Sequence, residues 1–323
     1  MENIVINIVL LMLGLGLLAK GAGWLVEGSA SIARKYGISE LVIGLTVVGF
    51  GTSMPEFIVN VIASINAEAG DIVIGNIIGS NNFNLLFIIG VSGLIAPLVV
   101  QGTTVWKEIP FSLLAIVVLM ILANDRFLFH AESDVLGRID GIVLLAFFCG
   151  FIYYIFRAVR SDQHLQFESG KVHGSGRVAV IIVLGLAALI IGGKLMVDGA
   201  VSIAEAMNVS NKLIGLTIVS AGTSMPELAT SIVAARKGKA DLAVGNIIGS
   251  NIFNILFILG ISVLVRPVSY AIDFNIDGWV LIVGTVFLFV AMFMGKKRKV
   301  DRWEAVLFLI AYLAYIYYLI CKS

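Results

Sequence analysis

The sequence predicts an all-α polytopic membrane protein with ten transmembrane helices arranged as two inverted five-helix repeats. Three observations carry that reading. Of 323 residues, 59% are hydrophobic and 13% charged, with a mean hydropathy of +1.02, whereas a soluble domain carries roughly 25% charged residues. The apolar residues gather into runs near 20 residues long, the length a helix needs to cross lipid. Two motifs of the first half return in the second at nearly constant offset.

The apolar runs fall at about 4–26, 41–66, 72–99, 107–124, 138–156, 176–199, 212–235, 241–265, 277–295 and 303–320. The first begins near Ile4 with neither a positive leader nor a small-residue cleavage site, and is read as a retained span. The longest polar interruption, Arg157 to Arg177, separates five spans from five. It divides the chain into a first repeat, 1–156, a cytoplasmic linker, 157–175, and a second repeat, 176–323. Lys and Arg then set the orientation. With the N-terminus outside, inner segments hold fifteen of them, including Arg34, Lys35, Lys171 and Lys296 to Lys299, and outer segments hold five, Arg126, Arg138, Lys212, Arg266 and Lys322. Lys20 and Lys194 lie within spans and are expected to snorkel toward an interface. The expected location is the cell (inner) membrane, with both termini outside.

Gly44-Leu45-Thr46 reappears as Gly215-Leu216-Thr217, and Gly51-Thr52-Ser53-Met54-Pro55-Glu56 as Gly222-Thr223-Ser224-Met225-Pro226-Glu227, each offset by 171. Gly75-Asn76-Ile77-Ile78-Gly79-Ser80-Asn81 returns as Gly245-Asn246-Ile247-Ile248-Gly249-Ser250-Asn251, offset by 170, and Phe83-Asn84 as Phe253-Asn254. Five spans per half is an odd number, so the second copy enters from the opposite side.

Of the 21 acidic residues, only Glu56 and Glu227 fall well inside apolar runs, and they are repeat equivalents. A charge at the bilayer centre costs at least ~2.5–3.5 kcal/mol. No Lys or Arg lies close to either in sequence. The economical partner is a bound cation, or protons when the site is empty. Proline has no N–H and clashes with the carbonyl four residues earlier, so Pro55 loosens that of Gly51 and Pro226 that of Gly222. The expected result is a broken helix in each half, tolerable at membrane depth where it is buried in protein or lines a wet cavity. Its free carbonyls and hydroxyls are oxygen ligands of the kind hard cations take.

The second motif supplies the facing wall. Asn76, Ser80 and Asn84 are spaced i, i+4, i+8 along one side of a helix, and Asn246, Ser250 and Asn254 repeat the stripe. Ser80, Asn84, Ser250 and Asn254 are read as ligands, Asn76 and Asn246 as bonding neighbouring helices. Gly75 and Gly79, with Gly245 and Gly249, form small faces for close helix packing. Phe83, Phe87, Phe253 and Phe257 read as packing residues.

Other chemistries find no support. No basic stripe exists to track nucleic acid. Cys149 and Cys321 sit far apart, and His130, His164 and His173 are isolated, without zinc spacing. Gly192-Gly193 follows no strand and makes no nucleotide loop, so nothing resembles an ATPase module. An enzyme is not expected, because no His or Asp stands well inside a span to partner Glu, Thr or Ser. No cofactor and no obligate protein partner is called for.

The Gly-Thr-Ser-Met-Pro-Glu and Gly-Asn-Ile-Ile-Gly-Ser-Asn segments resemble, in both halves, the paired alpha-repeats of the sodium/calcium exchanger family of cation/calcium antiporters. The resemblance spans nearly the whole chain. It implies a ten-helix fold with alternating access, in which the first and sixth helices slide past a central core. It implies Glu56 and Glu227 as the principal cation ligands, joined by hydroxyl or carbonyl oxygens of Thr52, Ser53, Thr223 and Ser224. Ser80 and Ser250 would join from the facing helices, with Asn84 and Asn254 lining a central position. Some relatives carry Asp where Asn254 stands, a carboxylate associated with potassium in potassium-dependent members. The glutamate-bearing motifs typical of the calcium/proton branch are absent here. A calcium/proton or other cation/proton antiporter is the alternative. The implied partners are Ca2+, Na+ and the lipid bilayer. Two carboxylates give the pocket a charge of −2, which balances one Ca2+ or two Na+, so the two ions should compete, and protons with them.

Overall fold

The computed structural model describes residues 2–65, 70–100, 102, 104–130, 133–161, 175–207, 220–294 and 298–322. Among these, eight helices are long and apolar enough to cross a membrane, and the bent pair Glu40–Thr52 and Met54–Ile65 makes a ninth. The start of the expected seventh span, 212–219, lies outside the described residues, together with Gly215-Leu216-Thr217 and Lys212. So do His164, His173, Lys171, Lys296, Lys297 and most of the expected linker.

The first helix runs Glu2–Tyr36, well beyond the apolar stretch 4–26, with Arg34 and Lys35 in its last turn rather than in a loop. It ends where Gly37 takes a left-handed conformation, φ +64°, the usual glycine stop. Its main partner is the Ser175–Ala206 helix, and the seam between them is glycine. A Cβ on Gly14 would lie 2.6 Å from the Gly192 carbonyl, and one on Gly21 2.8 Å from that of Gly185. Seven residues separate Gly14 from Gly21 and Gly185 from Gly192, two helical turns on one face. Lipid supplies no hydrophobic drive between helices, so such backbone approach is what holds the pair. Lys20 and Lys194 both stay exposed on these helices, Lys20 Nζ lying 5.7 Å from the Trp24 ring centroid.

Both motif-bearing regions are broken as the prolines demand. The first interruption falls at Ser53 (φ −81°, ψ 7°), between Gly49–Thr52 and Met54–Ile65, with a bend of 46°. The second falls at Ser224 (φ −89°, ψ 10°), between Ser220–Thr223 and Met225–Arg236. The facing helices, Gly70–Asn82 and Ala240–Ile252, each run into a π-helical stretch, Phe83–Ile88 and Phe253–Leu259. Such wide turns inside helices cluster at functional sites. The small face of the second copy is used: Cβ atoms on Gly245 and Gly249 would each meet a backbone carbonyl, of Leu41 and Leu45, at 2.7 Å.

Two short antiparallel sheets tie the halves together. β1 (Leu98–Val99) pairs with β4 (Lys299–Val300), and β2 (Val135–Leu136) with β3 (Val268–Ser269). Each sheet takes one strand from each half. The phenylalanines pack as expected: Phe83 stacks on Phe87 at 4.9 Å, while Phe253 and Phe257 cluster with Phe50, Phe57 and Phe148. Cys149 and Cys321 are free thiols.

Candidate cation site

The two broken helices meet at their break points, and each clasps the acid of the other. Ser53 Oγ donates to Glu227 Oε1 at 2.9 Å, and Ser224 Oγ donates to Glu56 Oε1 at 2.8 Å. Each serine sits three residues before the glutamate of its own half. These reciprocal bonds therefore bring the two carboxylates into one site, with both residues fully buried. Ser250 Oγ lies 3.3 Å from both Glu227 Oε1 and the Gly49 carbonyl.

Several of the expected ligand oxygens are left unbonded. Glu56 Oε2, Glu227 Oε2, Ser80 Oγ, Asn84 Oδ1 and Asn254 Oδ1 are buried oxygens without a hydrogen-bond partner. Buried polar atoms are rarely left so. All five are oxygens, two of them on carboxylates, the donor type that hard cations take. No cluster of three or more His, Cys, Asp or Glu side chains exists among the described residues, so charge at this site comes from the two glutamates alone.

The remaining expected ligands lie at the rim. Thr52 Oγ1 is buried and within hydrogen-bond distance of the Val48 carbonyl (3.0 Å) and Asn246 Oδ1 (3.1 Å). Its counterpart Thr223 reaches Asn76 Oδ1 at 3.4 Å. Asn246 spends its amide nitrogen on the Glu227 carbonyl and Ser231 Oγ, a helix-bonding role of the kind expected for it. The two rims differ in exposure. Asn76 and Thr223 are half-buried, whereas Asn246 and Thr52 are sealed.

Two groups of residues carry more than the sequence suggested. Asn81 and Asn251 stand in the quoted motif without an assigned part, yet both are buried and hydrogen-bonded across the halves. Their repetition at offset 170 inside apolar runs was the available signal. Glu108, Asp277 and Glu304, at the starts of their spans, are also buried. Each has a structural partner. Tyr154 Oη donates to Glu108, Tyr315 Oη donates to Asp277 at 2.9 Å, and Glu304 accepts the Asp301 N–H at 2.7 Å as a helix cap.

Paired acids buried within a multi-helix membrane fold mark an ion pathway. Comparison with known proteins makes the class specific. The chain belongs to the sodium/calcium exchanger family: the model described as "Sodium/calcium exchanger protein" matches residues 6–157 and 177–321. CaxA of Alkalimonas amylolytica is 38% identical over 316 residues, covering 96% of this chain and 98% of that protein. The sodium/calcium exchanger MaX1 of Methanosarcina acetivorans is 33% identical over 352 residues, covering 97% and 98%. A solved structure of the sodium-calcium exchanger NCX_Mj, soaked with Na+ and Sr2+, superposes with a TM-score of 0.82 at 34% identity, covering 97% of this chain and 98% of that one. The protein is thus a multi-pass membrane cation/Ca2+ antiporter of the exchanger fold.

Proposed function

We propose that this protein exchanges Ca2+ for Na+ across the cell membrane by alternating access at one site. Glu56 and Glu227 are its principal ligands, with oxygens from Thr52, Ser53, Ser80, Asn84, Thr223, Ser224, Ser250 and Asn254. The carrying observation is the reciprocal clasp, Ser53 on Glu227 and Ser224 on Glu56, which leaves one oxygen of each carboxylate free. A −2 pocket takes one Ca2+ or two Na+, and empty it holds two unbalanced charges, so the loaded carrier crosses and the bare one does not. The names of MaX1 and NCX_Mj support sodium and calcium as the ion pair.

The architecture behind this reading is ten spans in two inverted repeats, 1–156 and 176–323, joined by a cytoplasmic linker at 157–175, with both termini outside. The exchange of sheet partners, β1 with β4 and β3 with β2, supports a two-fold relation between halves. In this orientation the half-buried rim at Asn76 and Thr223 faces outward and the sealed rim at Asn246 and Thr52 faces inward. No cofactor takes part, and the bilayer is the only other partner required.

The test is calcium-45 uptake into sodium-loaded vesicles carrying the protein. Uptake is expected to depend on the outward sodium gradient and to be absent from sodium-free vesicles that carry only a pH gradient. Uptake in the second set, with none in the first, would replace sodium by proton coupling.

Protons are expected to compete for the same two carboxylates. At fixed sodium gradient, calcium uptake should fall as pH drops from alkaline to mildly acidic. A flat profile over that range would remove proton competition from the account.

A further inference from the structure

We infer that Asn81 and Asn251 are positioning residues that force Asn84 and Asn254 to present their amide oxygens, not their nitrogens, to the bound cation. The inference rests on the reading of Asn84 and Asn254 as ligands. Two main-chain carbonyls set the polarity of the whole group. Asn81 Nδ2 lies 3.2 Å from the Asn251 carbonyl oxygen, and Asn251 Nδ2 lies 3.4 Å from that of Asn81. A carbonyl only accepts, so the end of each amide that faces it must be the NH2 group. The opposite end of each amide is then oxygen, and it needs a donor.

That donor is the ligand asparagine of the other half. Asn254 Nδ2 donates to Asn81 Oδ1 at 2.9 Å, and Asn84 Nδ2 donates to Asn251 Oδ1 at 3.1 Å. With its NH2 end turned to that oxygen, each ligand amide presents its oxygen at the opposite end. Those oxygens, Asn84 Oδ1 and Asn254 Oδ1, are buried and unpartnered. They stand one helical turn past Ser80 and Ser250. Turning either ligand amide over would set oxygen against oxygen at Asn81 or Asn251 and aim an N–H at the cation. All four side chains are fully buried or nearly so, so water cannot easily repair the mismatch. The group thus adds two neutral oxygen ligands while holding the pocket at −2.

The test is a pair of double-mutant cycles on the full chain in vesicles, reading the calcium concentration that half-saturates calcium-45 uptake. Asn84→Ala and Asn251→Ala are each expected to raise it by roughly tenfold or more, the usual reach of outer-shell partners. The double variant should be no worse than Asn84→Ala alone, because Asn251 acts through Asn84. Asn254→Ala and Asn81→Ala should behave the same way. A purely structural role predicts less folded protein and a lower maximal rate at unchanged half-saturation, or effects that multiply in the double variant; either result overturns the inference. If Asn84→Ala and Asn254→Ala themselves leave half-saturation unchanged, the ligand reading fails and takes the inference with it. Should the alanine variants at 81 and 251 not fold, Asn81→Thr and Asn251→Thr retain a hydroxyl at each position. Failure of these as well would assign the pair to stability and overturn the inference.

Discussion

Glu227→Gln is expected to abolish calcium exchange while leaving the protein folded, and Glu56→Gln to do the same. Glutamine keeps the shape of the side chain and a carbonyl oxygen. Ser53 and Ser250 can still donate to position 227, and Ser224 to position 56. What changes is charge. A pocket of −1 cannot balance a divalent cation where water is excluded. At about 4 Å and an effective dielectric near 20, a unit charge interacts with another by about 4 kcal/mol. Against Ca2+ the loss is at least that large, on the order of a thousandfold in affinity. Folding should not suffer, since removing a buried, unbalanced charge relieves desolvation. Two measurements separate the effects. Calcium-45 uptake by either variant should fall to background. Thermal unfolding of the purified protein should lose its response to calcium, which for wild type at 100 times Kd is worth about 2.7 kcal/mol. Wild-type uptake by both glutamine variants would remove the carboxylate pair from the site.

The acids, the prolines and the repeated Gly-Thr-Ser and Gly-Ser-Asn segments were legible because each is costly in lipid and each occurs twice. A buried Glu inside an apolar run has few explanations, and a repeated one fewer still. Helix breaks at Ser53 and Ser224 followed from Pro55 and Pro226 by backbone chemistry alone. Bond partners were another matter. Ser53 and Glu227 are separated by 174 residues, and Asn84 and Asn251 by 167. No local pattern says which hydroxyl meets which carboxylate across the halves. The part of Asn81 is hidden from the sequence for the same reason. Its neighbours Ser80 and Asn84 fit a one-sided helical stripe, whereas Asn81 points to a partner that only the second half supplies. The first helix outran its apolar segment because hydropathy reports lipid contact. Helix continuation to Tyr36 instead draws on Ala30, Ala33, Arg34 and Lys35, good helix formers, and ends at the glycine stop of Gly37. Buried Glu108 and Asp277 were hidden by position: near a span end, an acid reads as solvated until a tyrosine from another helix is seen against it.

Two engineered disulfides are expected to have opposite effects on exchange. We propose that the first and sixth helices, which the family resemblance implies slide past the core, move as one body. The glycine seam at Gly14, Gly21, Gly185 and Gly192 gives that body its physical basis, since the backbone of each helix there comes within contact of a carbonyl of the other. A Cβ built on Gly199 would lie 3.3 Å from Leu11 Cβ and 2.8 Å from the Asn7 carbonyl, so the helices must part slightly to admit it, and the reduced form of that pair is its own reference; one on Gly222 would lie 3.4 Å from Val197 Cβ. Both are close to the separation of about 3.5–4.5 Å that a disulfide spans. Leu11 lies in the first of these helices and Gly199 in the second. Val197 belongs to that body, while Gly222 lies in the broken helix that carries Thr223 and Ser224 into the site. With Cys149 and Cys321 first replaced by serine, oxidation of the Leu11→Cys, Gly199→Cys pair should leave calcium-45 uptake near its reduced level. Oxidation of the Val197→Cys, Gly222→Cys pair should cut uptake by about tenfold or more, as a locked state can no longer alternate, and reduction should restore it. Loss of transport in the first pair would mean that these two helices shift against each other during the cycle. Full transport through an oxidised second pair would mean that the sixth helix and the site-bearing segment travel together, and the sliding mechanism would have to be replaced by one in which the core itself rearranges.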